Sequence, residues 1–313
     1  MSSDKPFYIR KLAILGLGLI GGSLAKALKA QHVVGEVVAL GHREASLKRG
    51  VELGVIDSYS LDLAEVVKDA DVVVVATPTM IAEQMLVDVL QLVSEKTIVT
   101  DVASVKGNLL RAVNNNFSVA PANLVLAHPI AGSEKSGVDA AKADLFVAHR
   151  VILTPVSSTS AQALTTIRQM WQLAGADVID MPVDEHDRVL AATSHLPHLL
   201  AYALVDALAG LPEQQDIFRF AAGGFRDFTR IAASDPQMWH DIVLANREAL
   251  LDRLDQVTDR IAALRSQIAA GDGESIKACF TRAKTARETF GTILAEQQAD
   301  IQKASNNSSI SRE

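Results

Sequence analysis

Cysteine occurs once in the 313 residues, at Cys279, so the chain can close no disulfide within itself and build no cysteine-based metal cage. A reducing compartment suits such a chain, and a cytoplasmic location is expected. Positive charge is also in deficit. The 30 Lys and Arg against 37 Asp and Glu leave a formal charge of −7, which argues against a nucleic-acid binder or a membrane-surface binder. No stretch reaches the roughly 20 apolar residues that a bilayer span requires. The apolar run 12–24 comes nearest, but Gly16, Gly18, Gly21 and Gly22 are spaced for a turn, and no cleavage-site pattern follows. What is present, 49% hydrophobic and 21% charged residues, suffices for two ordinary domains with cores of their own.

Short β-type runs alternate with helical patterns through the first half, as βαβ units and a parallel sheet require. Strands are expected at 12–15, 37–40, 72–76, 97–102, 124–127, 151–154 and 178–181. Pro78, Pro129, Pro155 and Pro182 fall just after four of them, where a chain leaving a sheet tolerates proline. Beyond Val183 the β-type runs stop. Residues 185–208 form one helical pattern that Pro197 should kink. Leu250, Leu254, Val257, Ile261, Leu264 and Ile268 then make a heptad-like seam, suited to packing within a helical domain, to a dimer interface, or to both. Gly271-Asp272-Gly273 ends that helix and another begins near Glu274. The expected organisation is a dinucleotide-binding domain over 1–183, a helical substrate and dimerisation domain over 184–296, and a disordered Asn/Ser/Gln-rich tail over 297–313.

Gly16-Leu17-Gly18-Leu19-Ile20-Gly21 matches G-x-G-x-x-G between a strand and a helix. The first glycine permits the tight turn, the second lets backbone approach a pyrophosphate, and the third lets helix and strand pack closely. The N–H groups opening the helix then meet the negative charge. This is a Rossmann-type signature, and Thr77, Pro78, Asp101 and Ser104, at the ends of later strands, are expected beside the same cofactor. An NAD site usually carries an acidic residue at the end of the second strand; here stand Gly41, His42 and Arg43. Without a carboxylate to repel it, a 2′-phosphate can take the Arg43 fork, so NADP is expected and NAD is the alternative. In the opposing reading Arg43 is a solvated surface residue and Glu44 contacts the ribose.

The chemistry centres on A-H-P-I-A-G-S-E at 127–134 and S-H-L-P-H at 194–198. His128, at a strand's carboxyl end, can accept the proton of a substrate hydroxyl while hydride leaves the carbon. The reading is an enzyme that removes hydride from a small dicarboxylic hydroxy compound. Ser104 is a natural helix N-cap that would also sit near the nicotinamide. His195 and His198, three apart on one helix face, suit a substrate carboxylate or the helix kink better than a metal, since no acidic partner completes a zinc spacing. Arg226 and Arg230 stand one turn apart; either can clamp a carboxylate, and the other is expected to pair locally, with Asp227 or Asp235.

The stretches G-L-G-L-I-G-G-S, D-V-A-S-V-K-G, H-P-I-A-G-S-E, A-T-S-H-L-P-H and G-G-F-R-D-F-T-R-I-A-x-S-D-P-x-M-W run in this order between about residues 11 and 294. Together they resemble the prephenate and arogenate dehydrogenases of tyrosine biosynthesis. The resemblance implies hydride transfer coupled to loss of carbon dioxide, which turns a cyclohexadienol into a phenol. It implies His128 as the catalytic base or polariser and Ser104 as the group orienting His128 and the nicotinamide. Arg230 would hold a substrate carboxylate, and His198 would face the side-chain end. Ser133, Glu134, His195 and Trp239 would line or gate the pocket. Prephenate or arogenate is the implied substrate, no metal is implied, and a homodimer through the helical domain is expected. The Gly41-His42-Arg43 segment departs from the acidic residue common in the family, which puts NAD use in doubt. The rival readings are a nucleotide-dependent oxidoreductase of the β-hydroxyacid dehydrogenase or imine reductase type, which lacks the two histidine motifs, and a non-catalytic NADP sensor.

Overall fold

The computed structural model describes residues 6–132 and 135–310, with side chains described to residue 295. Eight strands form one sheet in the order β3-β2-β1-β4-β5-β6-β7-β8. They are β1 (Ile9–Leu15), β2 (Val34–Leu40), β3 (Ser58–Ser60), β4 (Val72–Val75), β5 (Ile98–Asp101), β6 (Leu124–Pro129), β7 (Arg150–Thr154) and β8 (Asp177–Asp180). The helices between them are α1 (Leu19–Ala30), α2 (Glu44–Glu52), α3 (Leu63–Val67), α4 (Thr79–Leu92), α5 (Gly107–Asn116) and α6 (Ala161–Leu173). All seven expected strands form. The eighth, β3, is three residues long at the sheet's edge, too short and too polar to carry a pattern.

Alternation along the strands sends side chains to two cores. Leu12, Ile14, Val72, Val74, Val125 and Ala127 enter one, with Trp171 and Phe146. Ala13, Leu15, Val73, Val75, Val99 and Leu126 enter the other. A strand buried on both faces reads as a continuous apolar run, which is why Val72 to Val75 is four valines with at most 1% exposure. The sheet is parallel from β3 to β6, but β7 runs antiparallel to β6 and pairs His128 with Ile152. An all-parallel sheet would need a crossover helix before β7. The described residues of 130–149 supply only a one-turn 3-10 segment at Val138–Ala140, so the chain returns in the opposite direction.

The helical stretch follows as α7 (Val183–Leu190), α8 (Leu196–Ala209), α9 (Gln214–Arg219), α10 (Gly223–Thr229), α11 (Pro236–Ala245), α12 (Arg247–Ala270) and α13 (Gly273–Ile310). The expected kink is a π-helical turn at Ala191–His195 between α7 and α8. Pro197 has no N–H to give and its ring would strike the carbonyl four residues back; the wider turn accommodates both. The chain divides into two compact units, 1–250 and 251–313. The helices α7 to α11 thus pack in the same compact unit as the sheet. In the second unit Asp272 caps α13 through the Ser275 N–H at 3.0 Å, as the Gly-Asp-Gly stop implies. Of the expected seam, Leu250 is buried, Leu254, Val257 and Leu264 are half-buried, and Ile261 and Ile268 are exposed. The tail expected to be disordered from 297 is a correction: α13 runs helical to Ile310. No Gly or Pro follows Gly291, and the 295–304 segment is rich in Ala, Gln, Glu and Lys, all good helix formers. No helix among the described residues is long and apolar enough to cross a membrane.

Candidate active site

The strand order reverses between β1 and β4, and ligands bind such a sheet outside the carboxyl ends of the strands at that switch. Gly16 turns the chain there with φ +101°, and a Cβ on it would stand 2.5 Å from the Ala76 carbonyl oxygen. A Cβ on Gly21 would meet Gly16 O and Ile14 Cγ2, both at 2.8 Å, so this glycine serves helix-strand packing. Gly18 differs: nothing lies within 4 Å of its Cβ position. That open space is where a phosphate backbone can approach. Leu19 and Ile20 open α1 with no side-chain cap, which leaves their N–H groups for an anion. Beside the turn, the Thr77 hydroxyl is buried with no hydrogen-bond partner among the described residues, and Pro78 leads into α4. The donor set and the orphaned hydroxyl fit a dinucleotide.

At the end of β2, Arg43 Nε donates to His42 Nε2 at 3.1 Å, beside Gly41. The Glu44 carboxylate accepts from the Tyr59 hydroxyl at 3.0 Å and pairs with Lys48 at 3.3 Å. Both contacts fall on Oε1, so that oxygen is engaged away from the role that the opposing reading would give it.

His128 ends β6 and is 7% exposed. Its Nδ1 lies 2.9 Å from His186 Nε2, and His186 Nδ1 lies 2.8 Å from Asp187 Oδ1. Burial holds the His128 imidazole well below its ordinary pKa, and the neighbouring His186 and Lys106 push the same way. His186 is lowered by burial against the pull of Asp187. Burial tends to raise Asp187, but hydrogen bonds from His186 and from the Lys106 and Gly107 N–H groups outweigh it and leave the carboxyl low. Beneath them Lys106, fully buried, is ion-paired with Asp101 and donates to the Ala127 carbonyl at 2.7 Å. Burial lowers the Lys106 ammonium, with Asp101 opposing.

Two expectations change here. The helix after β5 starts at Gly107, not at Ser104, and its first N–H groups are capped from outside: Lys106 N and Gly107 N donate to Asp187 at 2.9 and 2.7 Å. Ser104 is therefore not the N-cap; it is half-buried in the bend before the helix. Asp101, expected against the cofactor, is fully buried, and its oxygens accept from Ala103 N, Ala127 N and Lys106 Nζ. It braces the ends of β5 and β6.

The π turn sets His195 and His198 over one partner. His198 stacks on Trp239 with ring centroids 3.6 Å apart, and His195 meets the same indole edge-on at 6.2 Å. His195 is 1% exposed, and burial brings its pKa down to about 4. The Asn246 amide donates to His195 Nδ1 at 3.0 Å and to the Asp187 carbonyl at 2.8 Å. His198 Nδ1 donates to the Ser194 carbonyl at 2.8 Å; burial lowers this imidazole, and Arg230 adds to the effect. Arg230 is exposed in the 3-10 turn Arg230–Ala233, close enough for its charge to reach His198. Arg226 Nε lies 3.4 Å from Asp227 Oδ1. Ser133 and Glu134 lie outside the described residues. Sequence reasoning passed over Lys106, His186, Asp187 and Asn246. Lys106 stood inside the quoted D-V-A-S-V-K-G, and an adjacent His-Asp pair on a helix was the signal for the next two.

A switch-point nucleotide turn and a buried neutral imidazole at one sheet edge define an NAD(P)-dependent oxidoreductase. A family model described as prephenate dehydrogenase, nucleotide-binding domain, matches residues 24–180, and one described as prephenate dehydrogenase, dimerization domain, matches 182–282. The chain belongs to the prephenate dehydrogenase family. It is 37% identical over 286 residues to a cyclohexadienyl dehydrogenase of Zymomonas mobilis, covering 90% of this chain and 97% of that one. A prephenate dehydrogenase of Bacillus subtilis is 37% identical over 284 residues, 88% of this chain and 75% of its own. Among solved structures, a prephenate dehydrogenase from Aquifex aeolicus in complex with hydroxyphenyl propionate and NAD+ superposes with a TM-score of 0.84 at 34% identity, over 91% of this chain and 100% of that one. Membership removes the β-hydroxyacid dehydrogenase and imine reductase alternative.

Proposed function

We propose that the protein catalyses the NADP-dependent oxidative decarboxylation of prephenate, arogenate or both, in the cytoplasmic synthesis of tyrosine. The observation that carries this reading is His128, a buried neutral imidazole on the same sheet edge as the Gly16–Gly21 turn. A bound nicotinamide supplies the hydride acceptor. His128 takes the ring hydroxyl's proton as the C–H bond breaks and the carbon–oxygen double bond forms. The ring carboxylate then leaves as carbon dioxide, its bonding electrons close the aromatic ring, and His128 returns the proton to the phenolate oxygen. No net proton is released, so a base shielded from bulk water suffices. Ser104 orients His128 and the nicotinamide, Arg230 holds a carboxylate, and His198 faces the side-chain end. His195 and Trp239 line the pocket.

The cofactor preference rests on the end of β2. Gly41 offers no carboxylate, Glu44 is engaged by Tyr59 and Lys48, and Arg43 stands beside His42 as the cation for a 2′-phosphate. A Gly41→Asp change should shift preference toward NAD; its Cβ must displace Leu47 Cδ2 at 3.2 Å, so some loss of stability accompanies it. A homodimer is supported by the match to a dimerization domain and by the exposed Leu251, Ile261, Ile268, Phe280 and Phe290 on α12 and α13. The test is the appearance of reduced nicotinamide and 4-hydroxyphenylpyruvate from prephenate, with NADP and NAD run in parallel and arogenate as the second substrate. Turnover with NAD alone would overturn the cofactor assignment, and no turnover of either substrate by folded protein would overturn the reaction.

A further inference from the structure

The reaction as described gives no part to the pair behind His128. His186 and Asp187 sit side by side on α7, His186 fully buried, and together with His128 they form an unbroken chain of hydrogen bonds. Asp187 Oδ1 accepts from Lys106 N and Oδ2 from Gly107 N, at 2.9 and 2.7 Å. A carboxylate held by such donors is ionised and only accepts. His186 Nδ1, 2.8 Å away, must therefore carry its hydrogen, which leaves His186 Nε2 bare. His128 Nδ1, 2.9 Å from that bare nitrogen, must in turn be the donor. The lone pair of neutral His128 is thereby assigned to Nε2.

We propose that His186 and Asp187 are positioning residues: they hold His128 in the tautomer with a bare Nε2 and stabilise the imidazolium that forms when it takes the substrate's proton. This rests on the reading of His128 as the base. When the hydroxyl O–H bond breaks, the proton goes to Nε2, and the Nδ1–H of His128 leans toward His186 and onward to the Asp187 carboxylate. The proton returns by the same atom once carbon dioxide has left. Among the described residues, the other charged or titratable groups around this chain are Lys106 and Asp101, which are paired with each other, and His195, held neutral in the resting enzyme with its Nδ1 accepting from Asn246. Buried Lys106 opposes a cation at His128, so the Asp187 charge is the one that makes a transient imidazolium tolerable. Capping α5 accounts for Asp187 alone; it accounts neither for the adjacent imidazole nor for the alignment of both its nitrogens.

The experiment compares wild type, His186→Leu and His186→Gln by steady-state kinetics with prephenate and nucleotide. It adds 15N NMR of histidine-labelled resting enzyme. His186→Leu removes the acceptor and should lower kcat by about 10²–10⁴-fold, the range of a lost general-base arrangement, with KM little changed. His186→Gln keeps a carbonyl oxygen near the Nε2 position and should recover much of that loss. In the wild type the His128 resonance should show hydrogen on Nδ1. A folded His186→Leu enzyme with wild-type kcat, a folded His186→Gln enzyme as slow as the Leu variant, or a resting His128 protonated on Nε2 would each overturn the proposal. If the Leu variant does not fold, the Gln variant and the NMR measurement decide. A wild type that turns over neither substrate sinks the proposed reaction instead, while the NMR measurement still decides the tautomer.

Discussion

Gly107→Ala sets two effects of opposite sign against each other. Gly107 is the first residue of α5 and its φ is not positive, so helix propensity and reduced unfolded-state entropy favour alanine by about 0.5–1 kcal/mol. A Cβ there would, however, stand 2.7 Å from Asp187 Oδ2 and 3.3 Å from Arg111 Nη1. The carboxylate must swing away, and the bond from Gly107 N is lost. Hydrogen bonds to a charged acceptor are worth about 1.5–3 kcal/mol each. The net is a destabilisation of about 1–2 kcal/mol if that bond alone goes, and more if the Lys106 N–H is released too. For a unit of this size that lowers Tm by about 2–8 °C, and kcat falls with it because His186 loses its anchored carboxylate. Melting is measured without nucleotide, which would otherwise shift Tm by mass action. Gly273→Ala is the control: Gly273 is likewise the first residue of its helix, with nothing within 4 Å of its Cβ position. The control should melt at or slightly above wild type. If Gly107→Ala matches it, Asp187 is not held where this reasoning needs it.

Gly18→Ala should leave Tm unchanged and raise the nucleotide KM on the order of tenfold, a loss of about 1.4 kcal/mol of backbone contact, because its Cβ enters only the space open to ligand. A matching drop in Tm, as expected for Gly16→Ala with its strained φ of +101°, would mean that the space is structural. Arg230→Gln should raise the substrate KM by about tenfold or more with kcat nearly unchanged, the mark of binding shared equally by ground and transition states. The same split in Arg226→Gln instead would move the clamp there. Stability should fall as pH drops from about 6.5 toward 4. The native His195 titrates near 4, so over that window the unfolded chain binds a proton that the native state does not, for a cost of about 3 kcal/mol at the acid end. His128 and His186 are lowered too and act in the same sense. A Tm as high at pH 5 as at pH 7.5 would show that these imidazoles can protonate in place.

The fold was legible where periodicity and glycine carry it. Valine runs buried on both faces, such as 72–75, and the Gly16–Gly21 turn are local facts that local physics enforces. The direction of β7 was not legible, because it depends on what the 130–149 connection lacks. The tail was misread from composition: Asn and Ser lower helix propensity, but nothing in 292–310 stops a helix already running.

The site divides along the same line. His128, His195 and His198 announced themselves by motif, whereas His186 is joined to His128 across 58 positions and Asp187 caps a helix 80 positions upstream. The adjacent His186-Asp187 pair marks a candidate in the sequence, but neither link can be read locally, because the partners stand on distant elements. Their coupling also accounts for α7 to α11 packing in one compact unit with the sheet. A helix that caps α5 and hydrogen-bonds the base at the end of β6 has to pack with the sheet, and Trp239 joins Val105, Ile242 and Ala245 in a small core of the same unit. The helices beyond the sheet thus complete the imidazole's surroundings as well as carrying the residues proposed to hold substrate. A change in α7 should therefore register at the base even though it touches neither cofactor nor substrate.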